Sequence, residues 1–527
     1  MENSTLQSGR KSRALDHAIE PGQSAFKIWY LLVIAGAVIL TAGLSSVPYL
    51  GDEIHHYRFA KESFLTGHRA IYDSLYGTPF APGYIFATEV FWPLVLSWIW
   101  RAIGFISFPV AQIYHTGFYV SLVAATYLLG KELYDQKTGF VAAVLVGSVP
   151  MVASFGILFY IDVPAASFVA VTLLAFVKRK YVWMGIAFGL AYLSKRHNVF
   201  LMPAFMLLLL FFPQERAFKR VVHAVVFLGA CFLTVIPEVI WHRIHVTPVL
   251  KARPSVTFSF STAITEHLNA WSQTLKSGSL VDFFKTREFL NSSLLDGIDL
   301  IKYFGPFILI GMALYCFRRR FERRDLVLLV IIGNFMAAFV VILRLGSDIR
   351  YMLPIISFLA ILAARGGTAI LKNRKTTALT CGLCLLQLVT VAAYVQQVRQ
   401  PTQEIQKGFQ FIRENLPEDA LILYPEANLM DMTERKVIWG LLGIVNIFWA
   451  SEKDQVRMIE QAHLDYIAVK KSRVYDDQNR KISHHGGYPQ SFVEQLPALP
   501  FVTLIFENKE MSIWKINHFE AEKLISP

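Results

Sequence analysis

The chain has 527 residues, of which 54% are hydrophobic and only 17% charged, and its net charge is +12. Soluble globular proteins carry about a quarter charged residues; here apolar runs of roughly 18 residues recur, each able to cross ~30 Å of hydrocarbon, which excludes the soluble class. A positive balance suits a nucleic-acid partner, but here the basic residues sit in short clusters between apolar runs rather than on one soluble face, which argues against one.

In lipid such runs must be helical, since unpaired backbone groups there find no water. Residues 1–25 read as a cytoplasmic tail carrying Arg10, Lys11 and Arg13. The apolar run over 28–47 is too long for the core of a cleaved signal and reads as a retained first helix. The acidic pair Asp52-Glu53 stands at its outer mouth. Further basic clusters occur at Lys131/Lys137, Lys178-Arg179-Lys180, Arg216/Lys219/Arg220, Arg318-Arg319-Arg320 with Arg323-Arg324, and Lys372/Arg374/Lys375. If all are cytoplasmic, an even number of crossings must separate each from the next. Residues 139–157 and 164–177 satisfy this as a hairpin turning at Asp162, and 182–194 with 198–212 as another turning at Lys195-Arg196-His197. Residues 221–241 lead out and 300–317 return after an outer loop over 242–299. Another hairpin, 325–344 with 352–371, turns at Asp348, Arg350 and Tyr351, and 376–396 leads out again.

The span 84–105 is apolar but broken by Glu89, Pro93 and Arg101, and it is rich in tryptophan. Residues 111–130 cross back to the inside, and counting 84–105 as a crossing together with them would invert every later loop, so it reads as an interfacial or re-entrant helix within an outer segment over 48–110. The expectation is a mainly α, polytopic membrane protein of about 11 transmembrane helices over 26–396. From about residue 400 to 527 the pattern becomes amphipathic and charged. Helices are expected at 404–415 and 452–463, strands at 420–424 and 466–469, and a hairpin from 501–506 and 511–516, making a small extracytoplasmic α/β domain. The four cysteines fall inside apolar runs. Cys381 and Cys384 have CxxC spacing but no βαβ context, and read as small apolar side chains.

Threaded this way, the polar residues Asp52, Glu53, Asp162, Lys195, Arg196, Arg350 and Tyr351 share one interface. Taken singly, the acids could be turn formers and the cations snorkelling anchors. Their convergence marks a candidate site, because ionisable groups at a membrane boundary are functional by default. The chemistry they suit is group transfer from a lipid phosphate: cations hold the phosphate, and a carboxylate takes the proton of an acceptor hydroxyl. A transporter or flippase of a lipid-linked or anionic substrate is the rival reading.

The ordered strings Gly51-Asp52-Glu53, Thr78-Pro79-Phe80-Ala81-Pro82-Gly83-Tyr84, Tyr127 to Tyr134, Phe159-Tyr160-Ile161-Asp162-Val163-Pro164, Gly189 to Lys195, and Arg350-Tyr351-Met352-Leu353-Pro354 resemble the GT-C glycosyltransferases over about residues 25–370. The subgroup is similar to protein mannosyltransferases and the aminoarabinose transferase. The resemblance implies inverting sugar transfer from a polyprenyl-phosphate donor to a lipid, glycan or protein acceptor, outside a bacterial inner membrane. It implies Asp52 as general base, Glu53 in support, and Lys195, Arg350 and Tyr351 near the donor phosphate. Asp162 matches the second acidic position, where oligosaccharyltransferases carry an Asp-x-Asp that helps bind metal. Pro164 stands two residues on, which argues against an obligatory divalent cation, although His55 and His56 flank the acidic pair.

Overall fold

The computed structural model of the protein describes residues 22–44, 52–67, 91–213, 215–252, 297–317, 321–342, 349–367, 373–424, 428–439, 452–475 and 488–525. The segment Thr78–Tyr84, Asp348 and the outer loop beyond Ala252 lie outside these residues.

Among the described residues the membrane domain is helical. Its helices are α1 (Gly22–Gly43), α2 (Asp52–Thr66), α3 (Phe91–Ile103), α4 (Phe108–Leu133), α5 (Gln136–Ser148), α6 (Pro150–Ile157), α7 (Asp162–Val177) and α8 (Tyr181–Ser194). After a 3-10 turn at Arg196–Leu201 come α9 (Met202–Phe211), α10 (Ala217–Ala252), α11 (Gly297–Phe304), α12 (Pro306–Cys316) and α13 (Arg323–Ile342). A second 3-10 segment, Ile349–Ile355, leads into α14 (Ile356–Gly367), and α15 (Arg374–Val398) follows.

Several boundaries differ from expectation for local reasons. The run expected to continue over 139–157 breaks at Pro150, where α5 and α6 meet at 61°. Proline cannot donate to the helix ladder and drives the preceding residue, Val149, out of the α region; its ψ is 124°. The run over 300–317 breaks in the same way at Gly305-Pro306, with Gly305 at φ 76°. Residues 242–252, expected in the outer loop, instead prolong α10.

Two segments among the described residues are long and apolar enough to cross a membrane alone, Ala217–Trp241 and Lys375–Val398, and the bent pair α5–α6 would make a third. The other apolar helices are shorter, so a count of eleven crossings does not follow from helix length. The apolar windows of α10 and α15 are only 17% and 22% buried. On α10, Phe218 is 78% exposed and Leu233 70%. So continuous an apolar surface needs lipid against it.

The basic loops converge at one end of the bundle. Lys178 pairs with Glu132 at 3.1 Å and Arg179 with Glu215 at 3.4 Å. Arg324 donates to the Leu133 carbonyl at 2.6 Å and Arg323 to that of Phe212 at 2.9 Å. The loops after α4, α7, α9 and α12 therefore lie together, as the parity argument requires. Helix α3 stays at the opposite end. Its Trp100 meets Tyr57 of α2 and donates to Ser107, the cap of α4, and its 13 residues span only ~20 Å.

Close helix contacts use small residues, as membrane packing requires. Gly185 and Gly189, one turn apart on α8, face α10: a Cβ on Gly185 would stand 2.3 Å from the Phe227 carbonyl oxygen, and one on Gly189 2.7 Å from Thr234.

Beyond α15 lies an α/β unit: α16 (Gln403–Asn415), β1 (Leu421–Tyr424), α17 (Asn428–Thr433), β2 (Lys436–Trp439), α18 (Glu452–Ala462) and β3 (Tyr466–Lys470), then β4 (Val474–Tyr475), β5 (Tyr488–Pro489), α19 (Gln490–Gln495), β6 (Val502–Glu507), β7 (Met511–Ile516) and α20 (His518–Ile525). The main sheet has the order β2-β1-β3-β7-β6, with β1 parallel to β2 and β3, and β7 antiparallel to β3 and β6. Alternate side chains divide between two cores. Leu423, Ile467 and Trp514 pack with α18, α19 and α20, while Tyr424, Ala468 and Ile513 pack with α16 and α17. Burial on both faces is why these strands read as short apolar runs rather than alternating ones. Burial also pushes the Tyr488 phenol up, which keeps it a donor between the Leu423 and Ala468 carbonyls, 3.1 and 3.0 Å away.

Gly185→Val is expected to lower the thermal midpoint of the purified protein, because a backbone carbonyl cannot yield; overpacking of this kind costs about 1–3 kcal/mol. An unchanged midpoint would show that α8 and α10 are not in the contact described.

Candidate active site

At the end of the bundle opposite the basic loops, α7 begins at Asp162 and α8 ends before Lys195. The two helices are antiparallel neighbours, so the positive end of one dipole meets the negative end of the other. An acid in a first turn and a cation at a last turn each complement that dipole. The charges then meet: Lys195 Nζ donates to Asp162 Oδ1 at 2.6 Å, and the side chains are 4% and 2% exposed. Burial makes the pairing obligatory, because either charge alone would bear its full desolvation cost. The other oxygen, Asp162 Oδ2, is buried and accepts no hydrogen bond among the described residues.

Around this pair lie residues of the 3-10 segment that precedes α14. Lys195 Nζ stands 4.7 Å from the centre of the Tyr351 ring. The Arg350 guanidinium lies 5.5 Å from Tyr351 and 5.9 Å from Tyr160. His197 meets Tyr351 edge-on at 5.1 Å, and its buried Nε2 has no hydrogen-bond partner among the described residues. Asp162, Lys195, Arg350 and Tyr351, far apart in sequence, thus form one cluster.

Arg196 does not join them. Lys195 is extended and the chain then turns tightly, which sends residues 195 and 197 to Tyr351; among the described residues Arg196 adds no hydrogen bond or ion pair to the cluster. The threading places His197 at this outer turn without giving it a role, and Tyr160 enters only within the string around Asp162. A single His beside basic residues and a single Tyr between apolar ones carry no spacing signal of their own.

The acidic pair lies next to this cluster. Glu53, fully buried, accepts at Oε1 from Arg399 Nη2 at 2.7 Å, the Phe159 amide at 3.0 Å and Gln112 Nε2 at 3.3 Å. Phe159 is in the turn that runs into Asp162, so this bond ties α2 to the cation cluster. Arg399 also donates to the Gly43 carbonyl and lies 5.1 Å from the Phe108 ring. It too went unnoticed in the sequence. A cation just past the outer end of the last apolar run contradicts the charge rule, the same anomaly that marked Lys195. Asp52 begins α2, but its side chain lies outside the described residues. His55 and His56 are buried on α2, with His56 6.4 Å from the Phe159 ring.

Among the described residues no three of His, Cys, Asp and Glu converge. Asp162 is committed to a lysine, whose charge repels a cation, so the described donor set does not fit a divalent metal. Beside the site, a cleft of about 380 Å³ is lined by Trp98 and Arg101 of α3, Leu193 of α8, and Thr234, Glu238 and Trp241 of α10.

Comparison with solved structures finds folds similar to that of the chain. The oligosaccharyltransferase of Archaeoglobus fulgidus, in complex with Zn and sulfate, superposes with a TM-score of 0.59 over 93% of this chain and 73% of that one, at 15% identity. ArnT of Cupriavidus metallidurans, bound to undecaprenyl phosphate, gives 0.55 over 96% of this chain and 100% of that one, at 11% identity. The chain shares the GT-C fold of these membrane enzymes. Within the GT-C fold, residues 92–241 match the model of the dolichyl-phosphate-mannose-protein mannosyltransferase family. That stretch holds nearly all of α3, α4 to α9 and most of α10, with Asp162 and Lys195. A third GT-C structure, the archaeal oligosaccharyltransferase AglB of Archaeoglobus fulgidus with an inhibitory peptide and a dolichol-phosphate, gives a TM-score of 0.53 over 85% of this chain and 69% of that one, at 14% identity. No curated protein matches the sequence.

Lys195→Met should leave Asp162 buried without its countercharge and cost about 3–5 kcal/mol. Adding Asp162→Asn should restore much of the loss. Thermal unfolding of the two variants checks this, and equal destabilisation by both would contradict the pair.

Proposed function

We propose that the protein is an inverting glycosyltransferase that moves a sugar from a polyprenyl-phosphate donor to an acceptor hydroxyl at the extracytoplasmic face of a bacterial cell membrane. The observation that carries this reading is the gathering of Lys195, Arg350 and Tyr351 at Asp162, one turn of chain from the helix that Asp52 begins.

In this reading the donor phosphate sits at headgroup depth against Lys195 and Arg350. Their charges stabilise the phosphate as its bond to the sugar breaks. Arg350, a planar fork held against two aromatic rings, offers two parallel donors to a phosphate, where Lys195 offers a point charge. Tyr351 supports both cations through its ring face. Asp52 takes the proton of the acceptor hydroxyl, and the acceptor oxygen attacks the anomeric carbon from the side opposite the phosphate. The glycosidic bond forms with inversion as the carbon–oxygen bond to phosphate breaks, and the lipid phosphate leaves. The charged residues cluster at one end of the bundle, whereas secondary transporters bind near mid-depth.

ArnT was solved with undecaprenyl phosphate and AglB with a dolichol-phosphate, which supports a polyprenyl phosphate as the donor's lipid part. The acceptor is a lipid, a glycan or a protein hydroxyl. The cleft lined by Trp98, Leu193 and Trp241, two residues from Lys195, offers an apolar wall for a lipid tail. The α/β unit from residue 403 onward is assigned to the same outer side, where it would cover the site and contact the acceptor.

Asp52→Asn should reduce sugar transfer about 10²- to 10⁴-fold, the contribution of a general base, while leaving donor binding intact. Turnover like that of the wild type would remove Asp52 from this role. Arg350→Lys should weaken binding of the lipid phosphate by about 10-fold or more, because charge-assisted hydrogen bonds contribute about 1.5–3 kcal/mol. Titration of undecaprenyl phosphate into protein in lipid nanodiscs measures it.

A further inference from the structure

Arg399 is the residue just past the last membrane helix, 346 positions from Glu53, yet it is 5% exposed and reaches Glu53, the Gly43 carbonyl and the Phe108 ring. One arm of its guanidinium reaches the Glu53 carboxylate and another the Gly43 carbonyl that ends α1. Its plane lies over Phe108, the first residue of α4. Three helix ends therefore meet on one side chain. The rigid, planar guanidinium serves two acceptors in fixed directions at once.

We infer that Arg399 is a positioning residue: it holds Glu53 as a buried structural carboxylate and so divides the acidic pair, leaving Asp52 to take the acceptor proton. The inference rests on the glycosyl-transfer reading of the site. Glu53 Oε1 already accepts three hydrogen bonds, from Arg399, Phe159 and Gln112. An oxygen so engaged is aimed at the protein, not at a substrate hydroxyl. Each of the three donors comes from a different element, so the carboxylate fixes α2 against α4, the turn before α7, and the end of α15. Asp52 precedes Glu53 on the same helix, and its place relative to Lys195 and Arg350 is set by that anchorage. A shift of about 1 Å in a catalytic group can cost 10²-fold in rate.

The test is a double-mutant cycle on the full-length protein in lipid nanodiscs, with Glu53→Gln, Arg399→Gln and the two combined. Sugar transfer from a polyprenyl-phosphate sugar and the melting temperature are both read. Arg399→Gln strands a buried carboxylate and is expected to lower the melting temperature and to cut kcat by about 10²-fold, with the donor KM little changed. The double variant, with no stranded charge, is expected to recover at least about tenfold of that kcat and most of the melting temperature. A double variant that is folded and binds donor, but stays as inactive as Arg399→Gln, would overturn the inference, because the Glu53 charge would then be needed in the chemistry. Arg399→Gln equal to wild type in both readouts would overturn it as well. Absence of transfer by the wild type would instead overturn the glycosyl-transfer reading. The two failures are distinguishable because additive melting shifts would separately remove the Glu53–Arg399 strut.

Discussion

A charge inside a low-dielectric bundle must be paired, and this protein meets that requirement twice at one end. Asp162 with Lys195 closes the α7–α8 hairpin, and Glu53 with Arg399 joins α2 to the end of α15. Neither pair is a stabilising ornament. Well-packed apolar side chains in the same places would be at least as stable, so what the pairs supply is position. Each fixes the end of a helix that bears a candidate reactive group. The Phe159 amide then locks the two pairs to each other through Glu53.

This has a chemical corollary. Because Lys195 is already neutralised by Asp162, an arriving phosphate finds a site whose lysine is held in place but whose local charge is modest. Arg350 and the ring faces of Tyr160 and Tyr351 complete the surface. Binding by such an arrangement favours a ligand whose charge grows during reaction, since preorganised donors act most where charge develops. In the proposed reaction the lipid phosphate gains negative charge as it departs.

Much of this was legible in the sequence because lipid imposes strict rules. Charge parity grouped Asp162, Lys195, Arg350 and Tyr351, and it predicted that the basic clusters share an end; Lys178, Arg179, Arg323 and Arg324 all reach neighbouring loops there. The strands at 421–424 and 466–470 and the hairpin of β6 with β7 followed from short apolar runs. Other features depended on tertiary context. The bend at Pro150 interrupts a run that hydropathy reads as one helix. Strand β2 is only four residues long and exists because β1 offers it an edge. Arg196 and His197 exchanged importance because one extended residue followed by a tight turn decides which of them faces Tyr351. Arg399 broke the charge rule in plain view, but its partner lies at the other end of the chain, and no local pattern pairs the two.

Because Arg399 touches both the carbonyl that ends α1 and the carboxylate near the start of α2, the connection between those helices has its two ends held by a third party. Residues 45–51 need not bring the helices together themselves. In chain-entropy terms, a connection whose two ends are held by a third group has its closure achieved elsewhere, and doubling its length adds only about 0.6 kcal/mol. The separation of the α1 end from the α2 start is thus set by Arg399 rather than by the length of the connection between them.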